Sequence, residues 1–276
     1  MGDWRTLLLI GIGVGDPRQL TLEAIDALNR TDVFFLFDKR RPHEGNSDHR
    51  DELLLFRESI CRRHIVAGRS YRFVTLPSPS RPPISYGRQQ DAAYSAAVAE
   101  WHRQRRCLLA DAIASSLGPA ETGAFLAWGD PSLYDSTLRL INRLSLTEAL
   151  RVRVEVIPGI TSVQMLCACH RIPLNQIGES VLVTTGRKLQ QLMDQGEHAL
   201  PATTVVMLDG RSVFQHLQRD DLMLYWGANL GTPYQAQLKG PLHEIKQKAL
   251  AKRRAVKDSA GWVMDVYMMT THKHIG

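Results

Sequence analysis

Residues 7–17 read LLLIGIGVGDP, and this stretch decides the fold class of the chain. The first four apolar residues predict a buried strand, and the three alternating glycines that follow predict a tight turn that another molecule can approach closely. Residues 21–29 then have the pattern of a helix, with Thr21 placed to cap its first turn. A strand, a glycine-rich turn and a helix in this order predict an α/β fold.

The turn is similar to a dinucleotide-binding loop but departs from it at one position. That motif requires a third glycine where this chain has Asp16, which Pro17 follows. A carboxylate at this point would repel a pyrophosphate, so the turn favours a neutral or cationic ligand. An NAD-dependent oxidoreductase, in which Asp38 would bind the ribose about 20 residues on, is a remote alternative that rests on this turn alone.

Two further strand ends have the same kind of chemistry. Residues 124–134 read AFLAWGDPSLY, so an apolar strand again ends in Gly-Asp-Pro, and residues 154–162 read VEVIPGITS. An isolated Asp130 would be an ordinary helix cap. Two carboxylates that follow two strands instead predict a ligand site at the carboxyl edge of one sheet. The hydroxyls of Thr161 and Ser162 would either cap the next helix or contact the same ligand.

The rest of the chain continues the alternation of strands and helices, which predicts largely parallel sheets. A turn-rich stretch at residues 171–180 divides the pattern, so we expect an N-terminal α/β domain over residues 1–170 and a C-terminal one over residues 171–276. The predicted strands are 7–10, 33–37, 71–76, 124–128, 152–157, 181–184, 204–208, 222–226 and 262–268, and the predicted helices are 21–29, 91–117, 132–144, 162–170, 212–217 and 241–254. Residues 39–51 and 77–87 are expected to be loops.

Composition and charge favour an anionic partner. The chain has 34 Lys and Arg against 28 Asp and Glu, a net charge of +6. The basic residues are scattered rather than gathered in a stripe with aromatics, so we expect no nucleic-acid partner, although a non-catalytic RNA-binding module is an alternative. The apolar runs are too short to span a bilayer, and the four cysteines lack metal-ligand spacing. We therefore expect a cytoplasmic protein with no membrane segment and no bound metal.

Taken together and in this order, the motifs resemble the tetrapyrrole (corrin and porphyrin) methylase family over almost the whole chain. The resemblance is carried by residues 11–17, Asp38, residues 129–131, residues 158–162, residues 205–207 and residues 231–242. It implies a tetrapyrrole methylase-like fold of two α/β domains, usually forming a homodimer. It also implies that S-adenosyl-L-methionine binds in the cleft between the domains and leaves as S-adenosyl-L-homocysteine.

The resemblance also assigns residues to the cofactor. The implied contacts are Val14, Trp128, Gly129, Asp130, Leu133, Thr161, Ser162, Met207 and the backbone near Leu230. Two positions depart from the family pattern. Val14 stands where proline is commonest, and Trp128 stands where glycine or serine is usual, which bears on the shape of the pocket at that side chain.

Within the family, the chain is most similar to corrin-branch members that methylate precorrin-5 and release acetate. This similarity is carried by residues 28–35, 128–137, 171–175, 206–210 and 225–228. The implied activity is C-methylation of an anionic tetrapyrrole, precorrin-5, to give precorrin-6A in cobalamin biosynthesis. A different ring-position specificity within the same family is the alternative.

Release of acetate requires a water molecule directed at the acetyl carbonyl, which a carboxylate or an imidazole can activate. Asp38 matches the aspartate that related methylases place beside the tetrapyrrole, and it is the first candidate; Asp16 is the second and His43 the third. Arginine forks bind carboxylates in bidentate fashion. The candidates for the substrate carboxylates are Arg40, Arg41, Arg139 and Arg187.

Overall fold

The computed structural model describes residues 4–38, 52–79, 91–144, 151–196 and 200–271. Contacts within the chain define two compact units. The first consists of Met1–Gly13 and Pro17–Gly159, and the second of Val14–Asp16 and Ile160–Gly276. The domain boundary predicted at residue 170 lies at the end of a helix that belongs to the second unit.

A five-stranded parallel sheet forms the centre of the first unit. Its strands are β1 (Arg5–Gly11), β2 (Val33–Asp38), β3 (Arg72–Pro77), β4 (Thr122–Ala127) and β5 (Val152–Ile157), in the order β3-β2-β4-β1-β5. Residues 7–10 of β1 are fully buried between β4 and β5. A strand covered on both faces has to be apolar throughout, which explains its unbroken hydrophobic run.

Four helices cover the two faces of this sheet. They are α1 (Leu22–Asn29), α2 (Glu52–His64), α3 (Asp91–Ser116) and α4 (Thr137–Leu144). The buried residues of α1 and α2 belong to one core, and those of α3 and α4 belong to the core on the opposite face. The connections that follow β1 and β2 therefore leave on one face, whereas the connection after β4 leaves on the other. Ligands of α/β proteins bind at the carboxyl edge where neighbouring connections diverge in this way.

The second unit contains a mixed five-stranded sheet. Its strands are β6 (Val181–Thr185), β7 (Thr203–Met207), β8 (Met223–Ala228), β9 (Ala236–Pro241) and β10 (Asp265–Thr270), in the order β6-β7-β10-β8-β9. Its helices are α5 (Ser162–His170), α6 (Gly186–Met193) and α7 (Leu242–Ala260). A single core that includes Phe214, Trp226 and Tyr267 lies on one face of the sheet.

The expectation of largely parallel sheets is right for the first unit and wrong for the second. Only β6 and β7 are parallel there, and the other three pairings are antiparallel. A short connection can join antiparallel neighbours without a crossover helix, and β8 and β9 are joined in this way. The sequence patterns also missed β9, whose Gly240 and Pro241 are unusual in a strand, and they missed α2 and α6.

Two predicted helices are shorter than expected. The helix predicted from residue 132 begins only at Thr137, because residues 131–136 form a loop in which Tyr134 has a φ of 55°. Residues 213–216 form a short 3-10 helix rather than an α-helix. By contrast, Thr21 caps α1 as predicted, since its hydroxyl accepts a hydrogen bond from the Ala24 nitrogen at 3.0 Å. Within the described ranges, no helix is both long and apolar enough to cross a membrane.

Candidate active site

The turns after β1, β4 and β5 lie against one another at the carboxyl edge of the first sheet. Gly13 and Gly129 form an antiparallel bridge, in which the Gly129 nitrogen donates to the Gly13 oxygen at 2.7 Å. A Cβ on Gly159 would lie 2.2 Å from the Gly129 oxygen, and one on Gly11 would lie 2.6 Å from the Gly159 nitrogen. Only glycine permits this approach. The predicted meeting of the three turns is therefore confirmed at these glycines.

The Asp130 carboxylate holds two of these turns together. It accepts hydrogen bonds from the Ser132 nitrogen and the Gly159 nitrogen, both at 2.8 Å, and a third from the Ser132 hydroxyl. The residue is not the cap of α4, because that helix begins only at Thr137; closer to the helix, the Asp135 carboxylate accepts a hydrogen bond from the Thr137 nitrogen at 2.6 Å. Asp130 thus holds the turns after β4 and β5 in place relative to each other.

Asp130 also places a negative charge at the carboxyl edge of the first sheet. Partial burial, the largest single influence, raises the pKa of its carboxyl, but the hydrogen bonds from Ser132 and Gly159 together outweigh burial and lower that pKa below its ordinary value. The carboxylate is therefore ionised at neutral pH. An anion in this position suits a cationic ligand and disfavours a pyrophosphate.

Asp38 lies where two neighbouring strands separate. The ladder between β2 and β4 ends at Phe34 and Ala124, after which β2 pairs only with β3 as far as Asp38. The Ser78 nitrogen donates to the Asp38 carbonyl at 2.8 Å, which fixes the end of the strand. Asp38 is half-buried. β2 and β4 are therefore no longer hydrogen-bonded to each other at the carboxyl edge of the sheet.

Trp128 directly follows β4. Its ring packs against Phe56 of α2, with the ring centroids 5.1 Å apart. The Arg57 Nε donates to the Leu126 carbonyl at 3.1 Å, which adds a second link between α2 and β4. A large aromatic side chain where the family usually has a small residue is therefore held by α2. Leu133, half-buried, follows in the loop that leads to α4.

Sequence reasoning missed one residue of this region, Arg105 of α3. Its side chain is buried, and its guanidinium lies 4.1 Å from the centroid of the Phe37 ring and 4.7 Å from that of Trp101. Its Nη1 also donates to the Ser136 hydroxyl at 3.2 Å. Arg105 thereby links α3, the end of β2 and the loop before α4. The spacing of Trp101 and Arg105, four residues apart on a predicted helix, is the signal that could have revealed it.

In the second unit, the segment Val14–Asp16 lies against residues 230–232. A Cβ on Gly15 would lie 2.6 Å from the Cγ2 of Thr232 and 2.8 Å from the Leu230 oxygen. Val14 and Leu230 are both buried. Asp16, the second catalytic candidate, is half-buried at the end of this segment.

Thr161 and Ser162 begin α5, and Thr161 serves as its cap. The Thr161 hydroxyl accepts a hydrogen bond from the Gln164 nitrogen at 3.2 Å, while the Gln164 Oε1 accepts one from the Thr161 nitrogen at 2.8 Å. Of the two alternatives for Thr161, capping is therefore the one that the structure describes. Ser162 is half-buried in the first turn.

Met207 ends β7 and precedes a strained residue. Leu208 has a φ of 53°, and its side chain is 67% exposed. A left-handed backbone costs a non-glycine residue about 1–2 kcal/mol, and an exposed leucine adds no burial in return. Such strain concentrates at functional sites. The strain at Leu208 therefore indicates that the end of β7 is a candidate for ligand contact.

The remaining predicted residues either belong to different units or lie outside the described residues. Arg139 lies on α4 of the first unit and Arg187 on α6 of the second. His43, Arg40 and Arg41 lie outside the described residues, as does most of the loop predicted at residues 77–87. No group of three or more potential ligands for a metal ion occurs within the described ranges.

Comparisons with known proteins agree with the motifs. Residues 6–246 match the family model described as Tetrapyrrole (Corrin/Porphyrin) Methylases. A precorrin-6A synthase (deacetylating) from Sinorhizobium sp is 40% identical over 265 residues, which cover 96% of this chain and 95% of the relative. A precorrin-2 C(20)-methyltransferase from Sinorhizobium sp is 32% identical over 176 residues, or 64% of this chain and 62% of that protein.

Solved structures extend the comparison to the fold. A cobalamin synthesis related protein from Corynebacterium diphtheriae superimposes with a TM-score of 0.77 at 35% identity, covering 98% of this chain and 100% of that one. The uroporphyrin-III C-methyl transferase of Thermus thermophilus, solved in complex with S-adenyl homocysteine, has the same fold, with a TM-score of 0.54 at 19% identity over 96% of this chain and 97% of that one. By its sequence, its turns and its fold, this chain belongs to the tetrapyrrole (corrin/porphyrin) methylases.

Proposed function

We propose that this protein is an S-adenosylmethionine-dependent C-methyltransferase of cobalamin biosynthesis that converts precorrin-5 to precorrin-6A with release of acetate. The observation that carries the proposal is the 40% identity to a precorrin-6A synthase over nearly the full length of both chains. The C. diphtheriae structure supports the same branch of the family, because it matches the whole chain at 35% identity. We place the enzyme in the cytoplasm as a homodimer.

The residues at the strand ends fit the proposed cofactor. S-adenosyl-L-methionine supplies an already activated methyl group on a positively charged sulfur. In the first unit, Gly129, Asp130, Leu133 and Trp128 would bind it, and the ionised Asp130 carboxylate provides the negative charge that such a cation favours. In the second unit, the proposed contacts are Val14, Thr161, Ser162, Met207 and Leu230. Their main task is to orient the donor and exclude water.

Asp38 is the proposed catalytic base. The methyl acceptor is an electron-rich ring carbon, which attacks without prior deprotonation, so a base is needed only afterwards. In the proposed step, Asp38 accepts a proton from a water molecule whose oxygen bonds to the acetyl carbonyl carbon. The bond between that carbon and the ring then breaks, acetate leaves, and the electron pair passes into the conjugated ring system. The position of Asp38 at the end of β2, where β2 no longer pairs with β4, supports this choice, and Asp16 is the second candidate.

The decisive experiment is mass analysis of the product formed from precorrin-5 and S-adenosyl-L-methionine. We expect one methyl group to be gained and one acetyl group to be lost, with acetate detected in equal amount. A methylated product that keeps its acetyl group would instead assign the chain a different ring position within the family. No methyl transfer to any tetrapyrrole would contradict the proposal.

Calorimetry separates the cofactor assignment from the substrate assignment. S-adenosyl-L-homocysteine should bind the purified protein, and NAD should not, because the Asp16 carboxylate stands where the first glycine turn would hold a pyrophosphate. Tight binding of NAD without binding of S-adenosyl-L-homocysteine would favour the oxidoreductase that the first glycine turn alone permits.

A further inference from the structure

A groove between α3 and α4, away from the glycine turns, is lined by basic side chains. The cavity has a volume of about 260 Å³ and is lined by His102 and Arg106 from α3, by Arg139 and Arg143 from α4, and by apolar side chains that include Val98 and Leu140. No acidic residue is among the described residues that line it. The groove therefore combines a positive rim with an apolar floor.

Four basic residues line the same cavity, two from each helix. Arg139 and Arg143 are four residues apart on α4, and His102 and Arg106 are four residues apart on α3, so each pair lies on one face of its helix. The two pairs face each other across the cavity. Arg106 is half-buried, while Arg139 and Arg143 are exposed. The residues of α4 are thus accessible from solvent, and all three arginines line one cavity.

The three arginines carry charge that the described part of the chain does not neutralise. None of Arg106, Arg139 and Arg143 forms an ion pair with a described residue. Arg103, on the same helix but outside the groove, is paired with Glu100 at 2.7 Å. Like charges four residues apart destabilise a helix, so the groove gains stability from an anion that lies between its rims.

We propose that this groove is a binding site for a compact polycarboxylate, a molecule with at least two carboxylates on short hydrocarbon arms. Arginine forks bind carboxylates in bidentate fashion, and the apolar floor formed by Val98 and Leu140 suits the methylene groups between the charges. The cavity is large enough for a few such arms but not for a whole macrocycle. None of the residues that line the groove is a proposed cofactor contact or catalytic candidate, and the proposal does not depend on the proposed function. Arg139, a candidate for the substrate carboxylates from the sequence alone, is assigned to the groove instead.

The test is calorimetric titration of the full chain with citrate at constant ionic strength. Inorganic phosphate and acetate serve as comparison ligands. We expect citrate to bind and acetate not to bind, and we expect phosphate to bind at least about tenfold more weakly than citrate because it offers nothing to the apolar floor. Phosphate binding as tight as citrate binding would overturn the polycarboxylate assignment, and no binding beyond that in matched sodium chloride would overturn the site.

Variants locate the binding. The double variant Arg139→Gln/Arg143→Gln should weaken citrate by at least about tenfold, since two charge-assisted hydrogen-bonding groups are lost. The matched control Arg103→Gln removes an arginine of α3 outside the groove and should leave citrate affinity unchanged. All variants should keep the far-UV circular dichroism spectrum and the urea unfolding midpoint of the parent, which shows that they are folded. Citrate binding that survives the double variant, or that Arg103→Gln weakens equally, would contradict the proposal.

Discussion

Asp130 supports both the fold and the proposed cofactor site, because its carboxylate joins the turns after β4 and β5. Replacing it with asparagine keeps the size of the side chain but removes its charge and part of its capacity to accept three hydrogen bonds. We expect Asp130→Asn to lower the free energy of unfolding by about 1–2 kcal/mol and to weaken binding of S-adenosyl-L-homocysteine. Urea unfolding and calorimetry measure the two effects. The exposed Asp194→Asn is the control, and it should change neither.

The contribution of Asp130 should depend on pH in a defined direction. Its folded-state pKa is lowered from an ordinary value of 3.8. The ionised carboxylate therefore stabilises the folded state above that value, and the stabilisation is lost as the pH falls through the lowered pKa. The difference in unfolding free energy between the parent and Asp130→Asn should be constant near neutrality and shrink below pH 3.8. A difference that grows in acid would contradict this role.

Asp38 should affect turnover rather than cofactor binding. It lies at the end of β2, where β2 no longer pairs with β4, whereas the proposed cofactor contacts of the first unit follow β4. Asp38→Asn keeps the shape of the side chain but cannot accept a proton from water, so we expect a loss of roughly 10²–10⁴-fold in kcat. Affinity for S-adenosyl-L-homocysteine should stay within about twofold of the parent. Full activity would remove Asp38 from the mechanism.

At the residue scale, sequence patterns located the strand-end residues but not how they interact. Three glycine turns were predictable because a left-handed or crowded backbone restricts the choice of residue. The Asp130 bond to Gly159 was not predictable, since it links positions 29 residues apart. The buried Arg105 was missed for a similar reason, because a basic residue in a run of basic residues has the pattern of a solvated surface.

At the element scale, the contact among the three turns makes a sharp prediction. Gly159→Ala would place a methyl group 2.2 Å from the Gly129 oxygen, and backbone on both sides must move to relieve the clash. We expect unfolding free energy to fall by about 2–4 kcal/mol, measured by urea unfolding. Gly210→Ala is the matched control, because its new methyl group meets nothing within 4 Å. Equal effects of the two substitutions would contradict the close packing of the turns.

Predictions of elements succeeded where each strand had an unbroken apolar run and a clear turn after it. All five strands of the first sheet were found: β1, β2 and β4 contain such runs, whereas β5 alternates apolar and charged residues. In the second sheet, β9 contains two residues that strands usually avoid, and α6 follows β6 directly with no turn between them. Strand direction also depends on which strands become neighbours, and the insertion of β10 between β7 and β8 is a long-range choice that local patterns do not encode.

At the scale of the whole molecule, the resemblance to the family leads us to expect a homodimer. Sedimentation equilibrium at micromolar concentration should therefore give twice the chain mass of 31.0 kDa. A species of 31.0 kDa that retains methyltransferase activity would contradict the expectation. Saturating S-adenosyl-L-homocysteine should not change the mass, because the expected assembly does not depend on the cofactor.

The fold class and the family followed from motifs spread over the whole chain, whereas the division into compact units did not follow from a single linker. Residues 14–16 group with the second unit although the chain on both sides of them belongs to the first. A single boundary in the sequence cannot assign residues 14–16 to one unit and the residues on both sides of them to the other.

The mutual packing of Gly11, Gly129 and Gly159 limits how this enzyme could be redesigned. Neither Gly11 nor Gly159 can accept even a methyl group without moving the backbone of another strand end, and Gly129 has a φ of 73°, a conformation that favours glycine. Attempts to alter acceptor preference through these positions would therefore disturb the scaffold itself. In the loop at residues 131–136, the exposed Tyr134 offers a side chain that laboratory evolution can vary, whereas Ser132 has to be kept because it donates to Asp130.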